Sequence, residues 1–336
     1  MSETVIALVD EGPAGRIPVL DVGPWLADAP GALEELAPVI ARTCEDTGFL
    51  VATNHGVPQR LIDDCFAASA AFFALPEDAK MALRVGELNI GYMPPGGQTI
   101  RTSKVAEVRK PNLNETFYVT EDRAPDDPDI LARKPFVGLN RWPDSLPEFR
   151  RATVAYFTAM RALAHRMMPV FVAAMGMPPD FLAEDFRDAT CTLRLLRYPP
   201  QPEGADDQFG FAPHIDTGFL TFLAQSKLPG LEVRTRDGLW LRPPAIPGTF
   251  VVNTGEMLGR YSNDRFAPTP HRVLNTNRDA RYAIPFFYSP ANEAVVRPVP
   301  SCITPDNPAR HEPLRYLDHR MKLNKTNFAH RRGETA

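Results

Sequence analysis

The hydrophobic pattern of this chain changes period once, near residue 187, and that change restricts the fold more than any other feature. Upstream, Ala32 to Thr47, Gln59 to Leu75 and Leu146 to Met175 repeat apolar residues at spacings of three and four, which predicts amphipathic helices. Asp46-Thr47-Gly48 ends the first of these, and Phe49-Leu50-Val51-Ala52 then predicts a short buried strand. Downstream the apolar runs shorten to strand length: Thr192 to Tyr198, Phe219 to Leu223, Leu231 to Arg234, Thr249 to Asn253, His271 to Asn275 and Tyr282 to Tyr288. Short strands separated by turn residues predict a β-sandwich or jelly roll. Leu314 to Phe328 returns to a helical pattern. The expected class is therefore α+β: a mainly helical region at 1–186, a β core at 187–300 and a helical segment at 301–336, packed as one unit.

Between Asn89 and Asp144 the many Gly, Pro and Asn residues and the lack of periodicity predict a long loop, a common carrier of function. Tyr92, Arg101, Lys104 and Asn114 are its candidate contacts to a ligand. The 35 prolines, many in pairs such as Pro199-Pro200, fit a body of short elements. A net charge of -4 with no basic block excludes a phosphate backbone as the expected partner. The acidic start, without a basic and apolar leader, and the lack of a long apolar run predict neither a signal peptide nor a membrane span. Cys44, Cys65, Cys191 and Cys302 form no CxxC pair, which predicts reduced thiols in a cytoplasmic protein. A monomer or small homo-oligomer is expected.

The chemistry concentrates in Pro213-His214-Ile215-Asp216. In an extended segment residues i and i+2 share a face, so His214 and Asp216 converge while Ile215 points away. One imidazole, one carboxylate and a second imidazole make the facial triad of non-haem Fe(II), which keeps positions open for co-substrate and O2. His271, opening the run His271-Arg272-Val273-Leu274, supplies the second imidazole from a neighbouring strand. His55 sits in a turn after a strand and is read as a backbone lock, and His165 as a structural residue of a helix. Strand parity places Arg194 with Leu196 and Tyr198 toward the interior, where it can pair with an anionic group of a substrate. Of Phe286 and Phe287, alternation sends at least one into the core, and Phe287 is a candidate substrate contact.

With those residues in view, the chain resembles the isopenicillin N synthase-like family of iron(II)/2-oxoglutarate dioxygenases over nearly its whole length. The resemblance rests on Ile17-Pro18-Val19-Leu20-Asp21, Thr47-Gly48-Phe49 through Asn54-His55-Gly56-Val57, Glu115-Thr116-Phe117, and Asn140-Arg141-Trp142-Pro143. Further on it rests on His214-Ile215-Asp216, Gly230-Leu231-Glu232-Val233, Val252-Asn253-Thr254-Gly255-Glu256 and Pro270-His271-Arg272-Val273. It implies a double-stranded β-helix, a distorted cupin-like jelly roll, binding Fe(II) through His214, Asp216 and His271. It also implies 2-oxoglutarate and O2 as co-substrates, with a small molecule oxidised, most simply hydroxylated, and succinate and CO2 released.

The family meets the distal carboxylate of 2-oxoglutarate with an Arg-x-Ser pair and a tyrosine. The matching residues are Arg281, with Ala283 in the place of the serine, and Tyr198. An arginine fork carries most of such a contact, and a lost neutral hydroxyl costs about 0.5–1.5 kcal/mol. Ala283 keeps open an oxidase of the same fold that needs no 2-oxoglutarate. A non-catalytic jelly-roll metal-binding protein is the alternative from another class.

Overall fold

The computed structural model describes residues 17–103, 105–201, 208–266, 268–328 and 330. In chain order the N-terminal half holds β1 (Val19–Asp21), α1 (Gly23–Leu26), α2 (Ala32–Asp46), β2 (Phe49–Thr53), α3 (Gln59–Phe73), α4 (Glu77–Met81), β3 (Gly91–Met93), β4 (Glu115–Val119), α5 (Pro128–Leu131) and α6 (Pro147–Ala174). There follow β5 (Thr190–Tyr198), β6 (Phe211–His214), β7 (Leu220–Gln225), β8 (Leu231–Arg234), β9 (Trp240–Leu241), β10 (Phe250–Thr254), α7 (Glu256–Tyr261), β11 (His271–Val273) and β12 (Arg281–Ser289). The small strands β13 (Val295–Val296) and β14 (Leu314–Arg315) precede α8 (Tyr316–Asn327). Every helix and strand run read from the sequence is present with ends moved by no more than two residues.

Two sheets face each other, a major sheet ordered β1-β2-β10-β7-β12-β5-β4-β3 and a minor sheet ordered β6-β11-β8-β9. This is the jelly-roll body. The major sheet is covered on both faces, which is why its strands read as nearly continuous apolar runs. Alternation sorts the side chains. Ile284, Phe286 and Tyr288 of β12, Leu193 and Leu195 of β5, and Phe222 and Ala224 of β7 join the large core under α2, α3 and α6. The intervening Ala283 of β12 and Leu196 and Tyr198 of β5 turn inward, packing with Phe211, Leu231, Val233 and Val273 of the minor sheet. A shift of one residue in β12 or β5 would exchange these faces. Phe286 is fully buried against Phe157, with ring centroids 5.3 Å apart.

Two expectations for the N-terminal half are corrected. The stretch from Asn89 to Asp144 is not a continuous loop: β3 and β4 within it pair with each other and extend the major sheet beside β5. With β1 and β2 at the opposite edge, the described part of the mainly helical region 1–186 also supplies four strands of the sheet. Strands of three to five residues beside Gly and Pro carry little periodicity of their own, and they persist because the β5 edge templates them.

The second correction is Tyr92, which does not line the cavity beside the triad. It is fully buried, and its hydroxyl donates to Glu115 Oε2 at 2.7 Å. Lys80 Nζ reaches the same oxygen at 3.0 Å, and Arg197 Nη1 takes Oε1 at 2.6 Å. Burial first, and the Glu115 carboxylate second, keep the Tyr92 phenol protonated. Glu115→Ala is expected to destabilise the protein by about 1–3 kcal/mol, because the Tyr92 hydroxyl loses its buried acceptor and Lys80 keeps only the solvent-exposed Glu77 as an ion-pair partner. An unchanged midpoint in urea unfolding would remove Glu115 as the keystone of this edge.

Candidate metal centre

His271 opens β11 and pairs directly with His214 of β6 on one side and Val233 of β8 on the other. Opposed residues in an antiparallel pair project from one face, so the two imidazoles meet, with ring centroids 4.2 Å apart. Strand β6 ends at His214, and Asp216 lies just beyond it in the turn to β7. Its position is set by tertiary bonds as much as by strand parity. The Asp216 carbonyl accepts from Glu256 N at 2.8 Å, at the start of α7. Gly255 makes that approach feasible, because a Cβ there would stand 2.3 Å from the Gly218 carbonyl oxygen.

The three ligand atoms converge: Asp216 Oδ1 lies 3.5 Å from His214 Nε2 and 3.7 Å from His271 Nε2. Among the described residues, His214, Asp216 and His271 are the cluster of His, Cys, Asp and Glu suited to a metal ion. The backbone sets their tautomers. His214 Nδ1–H donates to the Ala212 carbonyl at 2.9 Å and His271 Nδ1–H to the Thr269 carbonyl at 3.2 Å, so each Nε2 keeps its lone pair for the centre. Asp216 Oδ2 accepts from Thr221 Oγ1 at 2.6 Å and Asn253 Nδ2 at 2.8 Å, which leaves Oδ1 for the ion. Burial opposes the Asp216 charge, but His271, His214 and Asn253 outweigh it and hold the carboxyl far below the usual range. Burial, reinforced by neighbouring His214, pushes the pKa of His271 down to about 4, so its ring is neutral at pH 7. This donor set fits Fe(II): two imidazoles and one carboxylate on one side, with no fourth protein ligand among the described residues.

The triad opens into a cavity between the sheets. Arg281, on its wall, pairs in register with Tyr198 and has no exposed surface. Its Nη1 is buried without a hydrogen-bond partner among the described residues, which leaves it available to an acceptor that enters the cavity. Burial pushes the Tyr198 phenol up to about 12 against the pull of Arg281, so it remains a donor. Ala283, Leu223 and Pro285 complete this wall. Arg194 and Phe287 line the same cavity, and the Arg194 guanidinium lies 4.9 Å from the ring centre of Tyr118 and 4.6 Å from that of Phe287.

The structure thus brings His214, Asp216, His271, Arg281, Tyr198, Arg194 and Phe287 to one cavity and leaves Tyr92 outside it. Arg101 is exposed and Asn114 is buried, donating to Thr116 Oγ1 at 2.7 Å; Lys104 lies outside the described residues. His55 locks its turn, Nε2–H donating to the Gly248 carbonyl at 3.0 Å and Nδ1 accepting from Val57 N at 3.2 Å. Thr221, Asn253 and Tyr118 were not among the site residues read from the sequence. A polar residue at the inward parity of an apolar strand, such as Thr221 in Leu220–Gln225, is the signal that finds the first of these.

Comparison with known proteins agrees with this geometry. Residues 17–145 match the family described as non-haem dioxygenase in morphine synthesis N-terminal, and residues 189–290 match the 2OG-Fe(II) oxygenase superfamily. A 2-oxoglutarate-Fe(II) type oxidoreductase of Emericella nidulans is 30% identical over 307 residues, covering 90% of this chain and 87% of its own. A 2-oxoglutarate-dependent dioxygenase of Didymella fabae is 35% identical over 283 residues, 81% of this chain and 84% of its own. Among solved structures, a 2OG-Fe(II) oxygenase family protein of Caulobacter crescentus superposes with a TM-score of 0.77 at 28% identity, covering 91% of this chain and 98% of its own. Two sheets closing on a His-Asp-His cluster, a buried arginine with a free nitrogen beside it, and relatives matched along most of their length lead to one assignment: the chain belongs to the 2OG-Fe(II) oxygenase superfamily.

Proposed function

We propose that this enzyme hydroxylates a small, largely apolar acid, with His214, Asp216 and His271 holding Fe(II), Arg281 and Tyr198 holding 2-oxoglutarate, and Arg194 holding the substrate's anionic group. The carrying observation is that the triad and the unpartnered Arg281 nitrogen open into one cavity. When bound, iron and 2-oxoglutarate supply the oxidising chemistry, consuming O2 and releasing succinate and CO2. The chain's own contribution is to hold, orient and exclude water. The hydrogen-bonded His214 and His271 rings and the braced Asp216 fix the ligand directions. Arg281 orients the co-substrate from the far wall, and Leu196, Phe211, Leu231, Val273 and Phe287 make the space dry.

Charge matching supports an acidic substrate. The iron's two positive charges and that of Arg281 are balanced by Asp216 and the two carboxylates of 2-oxoglutarate, because an imidazole that ligates a metal through its lone pair carries no charge. Arg194 is left over. Its Nε is buried without a hydrogen-bond partner, and its flanking rings hold the guanidinium in place without neutralising it. A single carboxylate on the substrate completes the balance. The four cysteines are free and buried, which supports a reducing, cytoplasmic setting.

Anaerobic loading with Fe(II), then addition of 2-oxoglutarate, should give the visible absorption of the ternary complex, and admission of O2 should release succinate. Iron binding without that absorption would count against 2-oxoglutarate as co-substrate. For the substrate, Arg194→Ala is expected to raise KM for an acid substrate by roughly 10- to 100-fold, the scale of a hydrogen bond to a charged group. Unchanged KM and kcat would take Arg194 out of the pocket.

A further inference from the structure

Arg281 is held from behind before any ligand arrives. Its Nε–H donates to the Leu228 carbonyl at 3.2 Å and its Nη2 donates to Gln225 Oε1 at 3.1 Å. Gly230 closes the cradle: a Cβ there would stand 2.8 Å from Arg281 Cδ and 3.0 Å from Nε, so no side chain fits at that position while the arginine stays. A guanidinium has five N–H donors in a fixed plane. With Nε and one hydrogen of Nη2 occupied on one edge, the end formed by Nη1 and the second Nη2 hydrogen is left, and Nη1 has no partner.

The same strand reaches the metal end. On β7, Thr221 and Gln225 lie four residues apart and so share the inward face; Thr221 Oγ1 donates to Asp216 Oδ2 while Gln225 Oε1 accepts from Arg281. Their spacing is roughly 13 Å of rigid strand at about 3.3 Å per residue. Gln225 is also the register partner of Ala283, so its side chain projects beside the position where relatives of the resembled family carry a serine.

We propose that Gln225 is a positioning residue for the co-substrate: it turns the Arg281 guanidinium end-on to the cavity, so that the distal carboxylate of 2-oxoglutarate meets two parallel N–H bonds despite Ala283. Strand β7 thereby sets the separation between the two anchors of the co-substrate, the metal ligand at Thr221 and the arginine at Gln225. This rests on the reading of Arg281 as the 2-oxoglutarate residue. It adds that the arginine's orientation, and not only its charge, determines affinity.

Two near-isosteric variants test it in the full chain loaded with Fe(II) under anaerobic conditions. Gln225→Met removes the acceptor and frees the guanidinium to rotate; the dissociation constant of 2-oxoglutarate, read from the visible absorption, should rise about three- to ten-fold. Gln225→Glu places a carboxylate on the arginine and competes with the ligand; the rise should exceed ten-fold, by about the strength of a charge-assisted pair. Fe(II) affinity, read by calorimetry on each variant, should stay at the parent value, which also shows that the centre is intact. A parental 2-oxoglutarate affinity in either variant overturns the proposal, as does an equal loss of iron affinity, which would mark a general disturbance of β7. If the parent itself gives no absorption with 2-oxoglutarate, the failure lies with the functional reading and not with Gln225.

Discussion

Asp216→Ala is expected to lose Fe(II) and with it turnover, by more than the roughly 10- to 100-fold that removal of an outer partner of a metal ligand costs. The reason is electrostatic. Asp216 is the one acidic member of the triad, buried at 6% exposure between two imidazole rings, and its Oδ1 stands within 3.7 Å of both Nε2 atoms. Without it a dication would sit in an apolar cavity with two imidazoles and no countercharge. The fold should tolerate the change, since the carboxylate's protein partners are the hydroxyl of Thr221 and the amide of Asn253, both neutral. Metal analysis after anaerobic loading, with succinate release as the second readout, checks this. A variant that keeps one iron per chain and its rate would show that the ion sits elsewhere.

Arg281→Met should raise the dissociation constant of 2-oxoglutarate by at least about 30-fold, from the roughly 2–5 kcal/mol lost when one partner of a buried charge pair is truncated. Arg281 has no exposed surface, and burial pulls its pKa below the ordinary arginine value, so nothing but an incoming anion compensates its charge fully. Arg281→Lys should recover only part of the affinity, because an ammonium cannot hold the Leu228 carbonyl and Gln225 while presenting a fork. Iron affinity should be untouched in both. An anaerobic titration that finds 2-oxoglutarate bound as tightly to the methionine variant would assign the arginine to another role.

Much of the site was legible because β-strands alternate strictly. In Thr190–Tyr198, parity placed Arg194 and Tyr198 on the inward face, and the spacing of His214 and Asp216 pointed to a shared metal with His271. The resemblance then supplied Arg281 and the co-substrate role of Tyr198. What stayed hidden lay in elements without a pattern of their own. Tyr92 was misplaced because β3 is three residues long and exists only as an addition to β4. Gln225 gave no sign, since its acceptor role depends on a bond across strands to a residue 56 positions away.

The sequence by itself determined the period change, the two-faced strands and the chemical identity of the metal ligands, because these follow from short-range periodicity and side-chain type. Only the tertiary structure decided which oxygen of Asp216 is left free for a metal, which edge of Arg281 faces the cavity, and that Arg194 has no carboxylate partner among the described residues. Orientation and charge balance are set by partners brought together from distant segments, and no local rule contains them.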